Sequence, residues 1–74
     1  MIKTGVVSQV DYRSNSGVLI ERKTRQEYFF FIEECSELEL PREGDTVTFV
    51  KSKEFVTSNV AEHIMPSGAY KKLG

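Results

Sequence analysis

Gln26-Glu27-Tyr28-Phe29-Phe30-Phe31-Ile32 is the stretch that decides how this chain folds. Successive side chains of an extended strand point to opposite faces, so Tyr28, Phe30 and Ile32 share one face and Phe29 and Phe31 the other. One set fills a core; the other is left at the surface or under a partner. The run is bounded by a polar reversal, Arg22 to Arg25, and by an acidic stretch from Glu33, and its rings favour a pleated surface, so it reads as a strand rather than a buried helix.

On either side of this run the same pattern recurs at short intervals. Gly17 to Glu21 is a β-branched run that pairs naturally with the aromatic one across Arg22 to Arg25. Before it lies Asp11 to Gly17, a turn-rich connector in which Asn15 and Gly17 are candidates for a left-handed backbone. Ile2 to Val10, with Val6, Val7 and Val10, supplies the first strand. After the aromatic run, Glu33 to Asp45 loses regular alternation, contains Pro41 and Gly44, and has room for one helical turn around Glu33 to Leu38. Thr46 to Lys51 sets Val47 and Phe49 on one side, and Phe55 to Ile64 sets Val56, Ser58, Val60, Glu62 and Ile64 on one side. Met65 to Gly74 has too little apolar content to dock and reads as a flexible tail. The expected architecture is all-β: one five-stranded barrel over residues 1–64 and a tail over 65–74. An open sheet of this size would leave one face uncovered, which favours an OB-type barrel, with an SH3-like barrel of similar strand count as the alternative.

The chain's 74 residues and 8.5 kDa hold one domain and exclude a two-domain enzyme. Its longest apolar run, Tyr28 to Ile32, is far below the roughly 20 residues that cross a bilayer. The N-terminal stretch lacks a secretory pattern, and Cys35 is the single cysteine, so a cytoplasmic location is expected. Cys35 has no base or orienting group near it in sequence, and His63, the single histidine, sits in no metal-ligand pattern. No Gly-rich run leads into Lys-Ser or Lys-Thr. The reading is of a protein without catalytic residues, metal or cofactor.

A net charge of -1 argues against a protein held to a polyanion by bulk charge, but the charges are unevenly placed. Residues 1–32 carry five basic side chains against three acidic ones, and residues 33–45 carry six acidic ones against Arg42 alone. Any polyanion should therefore prefer one side. Exposed Phe29 and Phe31 would each offer a stacking platform for a base, and Arg13, Arg22, Lys23 and Arg25 would supply phosphate contacts.

Gly5-Val6-Val7, Ser16-Gly17-Val18-Leu19, Glu27 to Ile32, Glu43-Gly44 with Val47 and Phe49, and Asn59-Val60 together resemble the bacterial cold-shock domain family over roughly residues 3 to 64. The resemblance implies a five-stranded OB barrel that binds single-stranded RNA or DNA on the face of its first three strands. The family's surface tryptophan falls on Gln9, its two stacking phenylalanines of the second strand fall on Ser16 and Val18, and its third-strand phenylalanine and histidine fall on Phe29 and Phe31. Two aromatic platforms are thus expected where the family has more, with Gln9 and Ser16 as hydrogen-bonding neighbours. The expected function is weakly sequence-selective binding of single-stranded nucleic acid, RNA ahead of DNA. The alternative is a protein-interaction module, in which the same aromatic patch and the acidic loop bind another protein or a second copy of the chain. An OB domain docking on structured ribosomal RNA ranks third, since such a domain would usually carry a more basic surface.

Overall fold

The computed structural model describes residues 1–35 and 40–67. Five antiparallel strands run β1 (Lys3–Asp11), β2 (Ser16–Glu21), β3 (Glu27–Phe31), β4 (Thr46–Lys51) and β5 (Ala61–Pro66), with a 3-10 turn at Ile32–Glu34. Their order across the sheet is β3-β2-β1-β4-β5. In a simple meander β4 would pair with β3; here the long connection after β3 carries the chain to the far side of β1, where Lys3 to Val6 pair with Phe49 to Thr46. The sheet then curls until its two edges meet: Phe29 bridges to Val60 and Cys35 to Ile64, both in parallel sense, and the Phe29 N–H donates to the Asn59 carbonyl at 2.9 Å. This is the connectivity of a small OB-type barrel. None of the described helical segments is long and apolar enough to cross a membrane.

Alternation explains the core directly in β3 and β4. Tyr28 and Phe30 are buried while Glu27, Phe29 and Phe31 are exposed, and Val47 and Phe49 are buried on β4. Phe30, Phe49, Leu19 and Val7 are the largest fully buried side chains, and the Tyr28 ring meets Phe49 edge-on at 4.9 Å between centroids. Ile32, Ala61 and Ile64 complete the same cluster, with Val10 and Cys35 packed against it. Glu21 is also buried; its carboxylate lies 3.6 Å from the Lys3 ammonium and accepts the Thr24 hydroxyl at 2.9 Å, as a buried charge requires.

The expected fifth strand is shifted. Residues 55–59 form a loop rather than a strand, Val60 makes only the isolated bridge to Phe29, Val56 is exposed, and β5 starts at Ala61 and continues through Pro66. Met65 and Pro66, expected in the tail, pair with Thr48 and Val47, and the Ser67 N–H donates to the Thr46 carbonyl. The physical reason is a bulge: Thr48 to Val50 on β4 face Met65 to Glu62 on β5, one residue more, and His63 takes φ 53° to absorb it. Ala61 and Ile64, three apart, therefore both reach the core, which strict alternation forbids. The rest of the expected tail, 68–74, lies outside the described residues, as does most of the expected helical turn after Glu34. Asn15 has the expected left-handed backbone at φ 60°, whereas Gly17 is ordinary strand; Gly44, at φ 93°, closes the turn that returns the acidic loop to β1, where the Gly44 N–H donates to the Val7 carbonyl.

Candidate functional site

A second bulge decides what the outer face of β1 displays. Val7 stands opposite Leu19 and Gln9 opposite Val18, so Ser8 is an extra residue on β1, and its hydroxyl donates to the Val18 carbonyl at 3.2 Å. Unbroken alternation from buried Val7 would send Gln9 and Asp11 inward. With the bulge, Val10 packs against the core while Gln9 and Asp11 are exposed.

Two rows of side chains then cross three strands. Gln9, Val18 and Phe29 stand opposite one another in the first row, and Asp11, Ser16 and Phe31 in the second. Phe29 and Phe31 are 42% and 41% exposed, with ring centroids 5.1 Å apart and planes at 87°. An open groove beside them is lined by Gln9, Val18, Phe29, Ser14, Asp11 and Glu43 among others. The expected site residues Gln9, Ser16, Val18, Phe29 and Phe31 are thus gathered on one face. Ser16, however, is buried, and its hydroxyl is joined to that of Ser14 at 2.7 Å, so it is a poor partner for a ligand.

The expected cations are not gathered in one place. Arg13 lies in the loop between β1 and β2, beside the Phe31 end of the face, where the Asp11 carboxylate accepts its backbone N–H at 2.9 Å. Arg22, Lys23 and Arg25 lie in the reversal between β2 and β3, the full length of β2 away, about 20 Å at strand rise. That reversal is closed by reciprocal backbone bonds between Glu21 and the Arg25–Gln26 pair, with Arg25 at φ 64°.

The second half of the 52–59 loop, from Phe55, was hidden inside the expected fifth strand, although the loop's sequence, Ser52-Lys53-Glu54-Phe55-Val56-Thr57-Ser58-Asn59, has turn-forming residues at both ends. It places Asn59 against Phe29 and leaves Phe55 45% exposed. Lys51 donates to the Ser58 carbonyl and the Asn59 side-chain oxygen, which fixes the loop's return. Glu43 and Asp11 are the other residues not anticipated at the face; both add negative charge to the groove.

Cys35 is half-buried, and burial, reinforced by the Glu34 carboxylate, pushes its thiol up to about 11. A neutral thiol is not a nucleophile at ordinary pH. Among the described residues no three His, Cys, Asp or Glu side chains are grouped as metal ligands. No family model matches the sequence, and no curated protein matches it.

Proposed function

We propose that this chain binds single-stranded nucleic acid, RNA ahead of DNA, through its outer β1–β3 face, and that it does so without catalysis. The observation that carries the reading is the pair Phe29 and Phe31, both about two-fifths exposed on the outside of a strand whose inward rings already fill the core. Exposed paired rings on a small domain are costly unless something covers them, and a base covers one at about 1–3 kcal/mol each. The resemblance to the cold-shock family supports the same face, and the lone half-buried cysteine goes with a reducing, cytoplasmic setting.

A titration of the isotope-labelled chain with short uridine- and thymidine-rich oligonucleotides tests this. Shifts are expected on 16–20 and 27–31, stronger at low salt and stronger with RNA. A spectrum unmoved by either oligonucleotide would reject the proposal. A second reading, a docking face for a basic protein, has one observation in its favour: Asp11 and Glu43 both line the groove. It predicts no oligonucleotide shifts and binding to a cationic peptide instead.

A further inference from the structure

The charges of the described residues separate along the strand axis. Lys3 pairs with Phe49 and Gly5 with Glu21, so the ends of β2 and β4 both flank the start of β1. The β2–β3 reversal and the 52–59 loop therefore project from the same end of the barrel. That end carries Arg22, Lys23, Arg25 and Lys53 against Glu27 and Glu54. The opposite end carries Asp11, Glu33, Glu34, Glu43 and Asp45 against Arg13 and Arg42. The one ion pair among the described residues is Lys3 with Glu21, so none of Arg22, Lys23, Arg25 and Lys53 is held in an ion pair there.

This asymmetry bears on how a strand would lie. A phosphate near Asp11 or Glu43 meets a like charge inside a Debye length of about 8 Å, where screening is incomplete. A phosphate at the other end meets free cations. The 52–59 loop is ordered there: the Ser58 N–H donates to the Phe55 carbonyl at 3.3 Å, and the Asn59 carbonyl holds the Phe29 N–H. It presents Phe55 at 45% exposure, two residues along the loop from Lys53. An exposed ring near a free cation is the pairing that a nucleotide needs, one for its base and one for its phosphate.

Resting on the nucleic-acid reading above, we propose that the bound strand passes from Phe31 over Phe29 and leaves the sheet across the end formed by the β2–β3 reversal and the 52–59 loop. Phe55 is then a third stacking platform and Lys53 a phosphate contact, while Asp11 and Glu43 keep phosphates out of the groove toward β1. The site is an oblique track along β3, not a patch centred on Gln9 and Ser16.

Anisotropy of a fluorescein-labelled oligouridine dodecamer, measured across a salt series with the full chain, distinguishes the two paths. Lys53→Gln/Phe55→Ala is expected to weaken binding at least about tenfold and to flatten the salt slope by about 0.7, one phosphate. Asp11→Asn/Glu43→Gln, in which Asn keeps the oxygen that accepts the Arg13 N–H, is expected to tighten binding about two- to fivefold. Unchanged affinity in the first variant, or weaker binding in the second, overturns the track while the β1–β3 reading survives. A wild-type chain that does not bind, or whose binding is indifferent to Phe29→Ala/Phe31→Ala, overturns both.

Discussion

A Cβ placed on Gly17 would lie 2.5 Å from Phe30 Cζ and 2.6 Å from the Gln9 carbonyl oxygen, one a core ring and the other backbone. Neither can retreat without moving β1 or emptying the core, so Gly17→Ala is expected to lower stability by about 2–3 kcal/mol, read as a drop in melting temperature. Cys35 makes a second prediction at this scale. Its thiol is raised from 9.0 to about 11 by burial and then by Glu34, so the neutral form is favoured by the fold. The stability that this confers is complete below about pH 9 and is lost as pH rises through 11. Alkylation of the native chain should therefore be slow at pH 8 and keep accelerating above pH 9, where an ordinary thiol levels off; a plateau near pH 9 would contradict the burial. The closeness of Gly17 to Phe30 could be suspected from the sequence, since glycine inside an aromatic-paired strand marks close approach. The burial of Ser16 could not, because its partner Ser14 is fixed only by the shape of the loop between β1 and β2.

Strand by strand, period-two reading succeeds where the strand is regular and fails where a bulge inserts a residue. On β3 and β4 it gives inward Tyr28, Phe30, Val47 and Phe49 correctly. On β5 it sets Val56, Ser58, Val60, Glu62 and Ile64 on one side, but Val56 is outside the strand and the bulge at His63 brings Ala61 into the core instead. Histidine tolerates the left-handed region better than most residues, but no turn-forming neighbour marks His63 as the place where the strand bulges. The structure holds it from outside: the Glu34 carboxylate accepts the His63 backbone N–H at 3.1 Å. Glycine adopts the same φ without a Cβ clash, so His63→Gly should be neutral or stabilise the fold by about 1 kcal/mol in chemical denaturation. A loss of that size would mean that the imidazole, not the backbone turn, holds the bulge. The bulge at Ser8 matters more for function, because it turns Gln9 and Asp11 to the outer face without displacing Val7 or Val10 from the inner one.

Across the described residues, the barrel puts the acidic side chains Asp11, Glu33, Glu34, Glu43 and Asp45 and its cationic loops at opposite ends, with the two exposed rings between them. The acidic block was plain in the sequence. Its position relative to the rings was not, because it depends on the crossing from β3 to β4 and on tethers such as the Tyr12 hydroxyl on the Pro41 carbonyl. Alternation separated Phe29 and Phe31 from Tyr28, Phe30 and Ile32, and the structure shows the first pair to be the outward one; the 52–59 loop was not legible, because apolar Val56 and Val60 imitate a strand. Whether the exposed pair binds bases is decided by oligouridine affinity in Phe29→Ala/Phe31→Ala, alongside its melting temperature and sedimentation. Binding should weaken by about 2–6 kcal/mol, counting about 1–3 per base, with a monomer that melts near the wild-type temperature. Unchanged affinity in a variant that is folded and monomeric would contradict base binding by the pair.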